Sequence, residues 1–153
     1  MSGSSFPPPP KLLAAKRVDP YVAPVHVHIA EVEVDVETME VRVLKYVAAH
    51  DVGKAINPSI VENQICGGVI QGISTTLYEE LVFDVEKNDY LNPDFLNYKI
   101  ATIADIPEIK AIIIEEIDPQ GPFGAKGVGE HPLTSVSAAI TNAIYNAIRI
   151  RFK

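Results

Sequence analysis

The sequence predicts an α+β domain, in which strands and helices interleave without the regular alternation of a doubly wound sheet. Apolar residues alternate from Val25 onward, and a β-rich run spans 109–117, as is typical of strands. Apolar residues also recur at every fourth position from Val61 to Leu77, as is typical of a helix. With 153 residues, 47% of them hydrophobic, the chain is long enough to bury one core.

The first element is a predicted β-hairpin. Its first strand starts near Val25, and the apolar residues change phase between 25–29 and 30–36. Such a change indicates either a bulge or a strand buried on both faces. Residues 35–40 turn the chain, and Val41 begins the second strand.

A long helix follows the hairpin. Asn57 is suited to cap it and Pro58 to occupy its first position. The four-residue apolar spacing extends the helix to about Glu80, and a short hairpin with a polar tip is expected over 81–91.

The C-terminal part contains one more strand and one more helix. The strand is expected over 109–117, before Asp118 and Pro119. An apolar stripe predicts a helix over 133–148, with Thr134 or Ser135 as its N-cap.

Composition and charge limit the possible functions. Residues 1–24 contain Gly, Ser and a run of four prolines, so they predict a flexible leader before a single domain over 25–153. The net charge of −7 argues against a surface for nucleic acid or anionic lipid, and no apolar run approaches the length of a membrane span. The single cysteine, Cys66, excludes an internal disulfide, so the cytoplasm is the expected compartment.

The segment 121–130, GPFGAKGVGE, contains four glycines and one lysine and ends on Glu130. Glycines let a backbone approach a ligand closely, and the start of the following helix adds unpaired N–H groups. Glu130 is therefore expected where an acid or a base could meet a polar bound molecule.

The long helix has an unusual glycine face. Gln64, Gly68 and Gly72 are spaced by four residues, although each glycine costs a helix about 1 kcal/mol relative to alanine. One explanation is close packing against a neighbouring helix or strand. The other is a cofactor along this face, with the Gln64 amide as a hydrogen-bonding group.

Two further candidates have ordinary explanations. His26 and His28 lie on the same face of a strand and could bind a metal, but the sequence offers no third ligand at a suitable spacing. Cys66 is interpreted as a packing residue, since no basic residue lies near it in sequence to activate the thiol.

Four segments, in the same order, resemble one family. They are HDVG at 50–53, NP at 57–58, the glutamine and glycine positions of 64–72, and GAKGVGE at 124–130. Together they resemble the molybdenum-binding large subunit of the molybdenum hydroxylases, which include xanthine dehydrogenase, aldehyde oxidase, carbon monoxide dehydrogenase and 4-hydroxybenzoyl-CoA reductase. The resemblance covers about 25–148 and corresponds to the C-terminal part of that subunit.

This resemblance implies specific roles for residues of the chain. In the family, the glutamate that closes the GVGE motif is the base that activates the water-derived oxygen, which corresponds to Glu130. The preceding loop and the glycine-bearing helix contact the molybdenum cofactor and its pterin. The corresponding cofactor-binding residues are Gln64, Gly68, Lys126, Gly127, Val128 and Gly129. No residue of this chain is expected to ligate the metal.

The resemblance also implies an activity and partners. The chain is expected to be a subunit or fragment of an oxidoreductase that hydroxylates an aldehyde or an N-heteroaromatic substrate with oxygen from water. The cofactor would be molybdenum–molybdopterin, with or without a cytosine nucleotide, shared with a partner chain that completes the molybdenum subunit. Iron–sulfur and FAD groups would lie on further subunits. Because the family's subunit is several times longer, this chain alone is expected to be inactive. The alternative is a non-catalytic remnant or assembly module that binds a partner subunit.

Overall fold

The computed structural model describes residues 24–151. These residues form the strands β1 (His26–Val34), β2 (Val41–Asp51), β3 (Phe83–Asp84), β4 (Asp89–Tyr90) and β5 (Glu108–Ile114). The α-helices are α1 (Pro58–Leu77), α2 (His131–Thr134) and α3 (Val136–Ile148). This mixture confirms the predicted α+β class. No helix within 24–151 combines the length and the apolar character that crossing a membrane requires. The predicted leader, apart from residue 24, lies outside the described residues.

The main sheet has three strands in the order β1-β2-β5. β1 and β2 are antiparallel, as the predicted hairpin requires, whereas β2 and β5 are parallel. The β1–β2 register shifts where Glu31 pairs with Lys45 and Val32 pairs with Val43. Leu44 of β2 is therefore the extra residue of a bulge. This bulge does not explain the apolar phase change of β1, because β1 alternates without a break and Val25, Val27 and Ile29 are apolar residues on its exposed side.

One face of this sheet is covered by helices and the other is open. On β1, the residues at even positions from 26 to 34 point inward and are half-buried. The opposite surface, which we call the outer sheet face, carries Val27 and Ile29 of β1 and Ile112 and Ile114 of β5, which are 58, 62, 38 and 48% exposed. Parallel strand pairs are usually covered on both faces, so this apolar surface is suited to contact with another polypeptide.

The core lies between the inner face of the sheet and the helices α1 and α3. Asn57 caps α1 as predicted, because its Oδ1 accepts the backbone N–H of Ile60 at 3.2 Å. The helix ends at Leu77, three residues before the predicted end. The buried apolar residues of α1, α3 and β2 include Val61, Ile65, Val69, Ile73, Val136, Ile140, Ile144, Val43, Tyr46 and Ala48.

The last helix and the last strand differ in extent from the prediction. The last helix is interrupted at Ser135, and neither α2 nor α3 has a side-chain cap. Ser135 is the N-cap residue of α3, one of the two predicted, but its hydroxyl makes no capping hydrogen bond and instead contacts His26 Nε2 at 2.7 Å. The last strand ends at Ile114 rather than at Ile117. The short predicted hairpin is present as β3 and β4, with Asn88 at a φ of 51° in its turn.

Candidate functional site

The glycine-rich loop is joined to the end of β2. The backbone N–H of Lys126 donates to Val52 O at 2.8 Å, and that of Lys54 donates to Gly124 O at 2.8 Å. Gly53 has a φ of 62°, and a Cβ at this position would lie 2.2 Å from Gly124 O. Only glycine tolerates both the left-handed backbone and this contact. The HDVG segment therefore holds the loop that leads to Glu130.

Glu130 immediately precedes α2. Its backbone carbonyl accepts the N–H of Leu133 at 3.1 Å, so the backbone of Glu130 is fixed by the first turn of the helix. Its carboxylate makes no capping hydrogen bond to that helix, and the residue is exposed. The acidic group is therefore accessible to a bound molecule.

The glycine face of α1 packs against α2 and α3. A Cβ on Gly68 would lie 2.6 Å from Pro132 Cβ, and a Cβ on Gly72 would lie 2.4 Å from Val136 Cβ. Of the two explanations open at the sequence level, close helix packing is therefore present. It brings the start of α2, and with it Glu130, beside α1.

A groove of about 410 Å³ runs between α1 and the loop that enters α2. We call it the α1–α2 groove. Its size is that of a small-molecule site. It is lined by Asn63, Gln64, Gly67, Gly68, Gln71, Gly129, Glu130 and Leu133. The structure thus brings together four of the residues singled out in the sequence, Gln64, Gly68, Gly129 and Glu130.

The wall that α1 contributes contains a stripe that the sequence analysis did not identify. Asn63, Gly67 and Gln71 are four residues apart, line the groove and are exposed. A Cβ on Gly67 would meet no atom within 4 Å, so the helix backbone is open between two amide side chains. The four-residue spacing of Asn63, Gly67 and Gln71 is the signal that could have predicted this stripe. The prediction instead used Gly68 and Gly72, which lie on the neighbouring, packed face of α1. A flat heterocycle with polar edges, such as a pterin, fits an open backbone flanked by amide donors and acceptors.

The remaining predicted cofactor residues do not line this groove. Lys126 and Val128 border a smaller apolar depression of about 230 Å³ beside the start of α1. A Cβ on Gly127 would lie 3.7 Å from His131 Cε1. The loop therefore approaches the α1–α2 groove only through its last two residues, Gly129 and Glu130.

Lys126 forms a buried ion pair with Asp51. The two side chains are 10% and 11% exposed, and the ammonium Nζ contacts Oδ2 of the carboxylate. The other oxygen, Oδ1, accepts the backbone N–H groups of Gly53 at 3.0 Å and Glu116 at 3.2 Å. Burial alone would raise the pKa of Asp51, but the hydrogen bonds from Lys126, Gly53 and Glu116 outweigh it and hold that pKa below its usual value.

Three histidines form a cluster under the sheet. His26 and His28 share a face of β1, as predicted. The ring centroid of His50 in β2 lies 5.1 Å from that of His26 and 4.9 Å from that of His28. His28 Nδ1 is 2.9 Å from the Tyr46 hydroxyl, and its Nε2 is 2.8 Å from His50 Nε2. In such a pair, one Nε2–H donates the hydrogen bond and the other, unprotonated Nε2 accepts it.

The cluster disfavours positive charge. Burial, followed by repulsion from His26, lowers the pKa of His28 to about 4. Burial, followed by repulsion from the neighbouring histidines, lowers the pKa of His50 to about 4. Among residues 24–151, no three His, Cys, Asp or Glu side chains are arranged to hold a metal ion.

Cys66 lies half-buried on α1. Burial, followed by the nearby Glu62 charge, raises the pKa of its thiol. The thiolate is therefore disfavoured, and the structure gives no support to a nucleophilic role for this residue.

Comparisons with known proteins identify the family. Residues 6–107 match the family described as the molybdopterin cofactor-binding domain. The chain is 40% identical over 127 residues to PaoC, the molybdenum-binding subunit of an aldehyde oxidoreductase of Escherichia coli, with 82% of this chain covered. It is 35% identical over 114 residues to XdhA, the putative xanthine dehydrogenase molybdenum-binding subunit of Escherichia coli, with 74% of this chain covered.

Solved structures give the same result. Quinoline 2-oxidoreductase of Pseudomonas putida superposes over 82% of this chain with a TM-score of 0.76 and 36% identity. Aldehyde oxidoreductase of Desulfovibrio desulfuricans superposes over 84% with a TM-score of 0.73 and 39% identity. In all four comparisons the match spans only 14–17% of the relative's own length. The chain therefore belongs to the molybdopterin cofactor-binding family of aldehyde oxidoreductase and xanthine dehydrogenase molybdenum subunits, and corresponds to a part of such a subunit.

Proposed function

We propose that the chain contributes the general base to the molybdenum site of a hydroxylase that is completed by further polypeptide. The reaction would be the hydroxylation of an aldehyde or an N-heteroaromatic carbon with oxygen from water. The observation that carries this proposal is the accessible Glu130 carboxylate on the same groove as Gln64 and the open backbone of Gly67.

Each residue of the groove has a distinct task in this proposal. The amides of Asn63, Gln64 and Gln71 donate and accept hydrogen bonds at the polar edges of the pterin. Gly67 and Gly129 allow close approach, since a Cβ on either would meet no atom within 4 Å and neither residue places a side chain in the groove. The cofactor, when bound, supplies the acceptor for the two electrons that leave the substrate.

Glu130 acts on the proton. Its carboxylate would take the proton of the water-derived nucleophile as the new bond to the substrate carbon forms, and the hydrogen of that carbon would leave with the electron pair of the broken C–H bond, which the bound cofactor would accept. A general base typically contributes about 10²–10⁴-fold to a rate. The backbone of Glu130 is held by α2, which in turn packs on Gly68. The base is therefore carried by an ordered helix start rather than by a free loop. Gly68 therefore contributes to the proposed cofactor site mainly by allowing α2 to pack closely against α1.

Partners follow from the length of the relatives. Because the match spans 14–17% of their length, the proposed site needs the polypeptide that corresponds to the rest of the molybdenum subunit. Iron–sulfur and FAD subunits would then receive the electrons, and the complex would be cytoplasmic. The pterin would be present with or without a cytosine nucleotide.

The test is Glu130→Gln in the complex with that remaining polypeptide. The change keeps size and hydrogen bonding but removes the ability to accept a proton. We expect turnover of an aldehyde or N-heteroaromatic substrate to fall by about 10²–10⁴-fold, with an unchanged molybdenum content. Glu62→Gln is the matched control, since Glu62 is exposed on α1 but does not line the groove. Full activity of Glu130→Gln would remove this residue from the mechanism, and loss of molybdenum would make it a structural anchor.

A second candidate function is a non-catalytic assembly module. It is favoured by the apolar residues that the fold leaves exposed, which include the outer sheet face as well as Phe95 at 83% and Ile103 at 91%. A complex that forms with a partner subunit but contains neither molybdenum nor activity would favour this function over the enzymatic one.

A further inference from the structure

Within residues 24–151, the loop that carries Glu130 forms one buried ion pair with the rest of the domain. This contact joins Lys126 to Asp51, which is the last residue of β2. The two residues are 75 positions apart in the chain. Beside them, the backbone N–H of Lys126 donates to Val52 O at 2.8 Å, so both the main chain and the side chain of the lysine are engaged at the same point.

The direction of the lysine side chain separates it from the α1–α2 groove. Its ammonium contacts Oδ2 of Asp51, and Lys126 is absent from the residues that line the groove. The carboxylate is fixed in turn, because Oδ1 accepts the N–H groups of Gly53 and Glu116. A buried ammonium that is already paired in this way has no free charge to offer to a molecule in the groove.

We propose that Asp51 and Lys126 are positioning residues, whose ion pair fixes the loop 124–130 and thereby the place of Glu130 on the groove. This inference rests on the proposed function. The family resemblance implies that Lys126 contacts the cofactor. In this proposal, the Lys126 side chain instead acts by holding the loop. The loop continues from Lys126 to Glu130 through only three residues, two of them glycine. The ion pair therefore fixes the N-terminal end of this short segment, while the first turn of α2 holds its C-terminal end at Glu130.

A second ion pair of the same region provides the matched control. Lys54 Nζ lies 2.8 Å from Glu115 Oε1, but these side chains are 51% and 41% exposed. Exposed pairs contribute little, whereas removal of one partner of a buried pair leaves an uncompensated charge. The variants are Lys126→Met, Asp51→Asn, the double variant, the conservative Lys126→Arg, and the control Lys54→Met.

The first measurement is amide hydrogen exchange of residues 126 and 133, whose N–H groups donate to Val52 O and Glu130 O at the two ends of the loop, in the full chain, which requires no cofactor. We expect exchange about tenfold faster in Lys126→Met and in Asp51→Asn, with little change in Lys126→Arg or Lys54→Met. The double variant leaves no buried charge unpaired, so it decides the question if a single variant fails to fold. Unchanged exchange in the double variant would overturn the proposal.

The second measurement is turnover and molybdenum content of the complex with the remaining polypeptide of the molybdenum subunit. We expect each single variant and the double variant to lose turnover to the same extent, by about 10²-fold for a misplaced base, with unchanged molybdenum. Loss of molybdenum in Lys126→Met together with normal loading and turnover in Asp51→Asn would overturn the proposal, because Lys126 would then contact the cofactor itself. If the unsubstituted complex holds no molybdenum, the proposed function fails, while the exchange measurement still decides the role of the ion pair.

Discussion

Acidification should destabilise the domain through its histidine cluster. The pKa of both His28 and His50 is about 4 in the folded chain, against 6.5 for an ordinary histidine. Between these values the unfolded chain binds more protons than the folded chain. The free energy of unfolding is therefore highest above pH 6.5 and falls as the pH decreases toward 4.

The magnitude follows from the same two pKa values. For one such histidine, linkage gives a loss of about 2 kcal/mol between about pH 7.5 and about pH 5. Two independent histidines would lose about 4 kcal/mol, a large part of the roughly 5–15 kcal/mol that stabilises a domain. Because the two Nε2 atoms share one hydrogen bond, the histidines titrate as a pair, and we expect a total loss between these figures.

The assay is urea unfolding at both pH values for three proteins. His28→Gln removes one titrating ring from the pair and should reduce the acid-dependent loss to about 2 kcal/mol or less. Tyr46→Phe removes the hydroxyl that contacts His28 but leaves both histidines, so it should retain the full loss. His26 and His131 also act on His50, and both remain in every variant. An unsubstituted chain that is equally stable at both pH values, or a His28→Gln chain that keeps the whole loss, would refute the reasoning.

Two further predictions concern the groove and its completeness. Gly67→Ala should raise the free energy of unfolding by up to about 1 kcal/mol, because its Cβ meets no atom within 4 Å. Gly68→Ala should lower the free energy of unfolding by about 1–3 kcal/mol, because its Cβ would lie 2.6 Å from Pro132 Cβ. Equal responses of the two variants in urea unfolding would contradict the packing described for α1. The chain on its own should hold no stoichiometric molybdenum, since the match covers only 14–17% of its relatives' length, and one molybdenum per isolated chain in elemental analysis would show that no partner is needed.

Much of the fold could be predicted because local patterns determine it. The spacing of Val61, Ile65, Val69 and Ile73 predicts the buried face of α1, and these residues are buried. The change of apolar phase in β1 was not a sign of the bulge, because β1 alternates without a break and the extra residue, Leu44, lies on β2. The break at Ser135 could not be predicted from local spacing, and it coincides with a contact to His26 of β1, which lies 109 residues away.

The site could be predicted less completely, because its arrangement depends on contacts between distant segments. The order of the four motifs predicted Gln64, Gly129 and Glu130 as site residues, and all three line one groove. The side chain of Lys126 could not be assigned from the loop alone, since its partner Asp51 lies on another strand. Gly67 and Gly68 are adjacent in the sequence, which does not show which of them is packed. In the structure, Gly68 packs against Pro132, whereas Gly67 is open.

The parallel pairing of β2 with β5 has a consequence for the order of folding. β1 and β2 are joined by a short turn and can pair early. β2 and β5 are separated in sequence by α1 and the β3–β4 hairpin, so their pairing is a long-range contact. Contacts between distant segments form slowly because the intervening chain must first be closed. The loop that carries Glu130 meets a strand end at Asp51 that is 75 positions away from Lys126, so its docking needs the same kind of long-range closure. A nascent chain that has not yet reached residue 126 can therefore form the β1–β2 hairpin and α1, but it cannot assemble the groove.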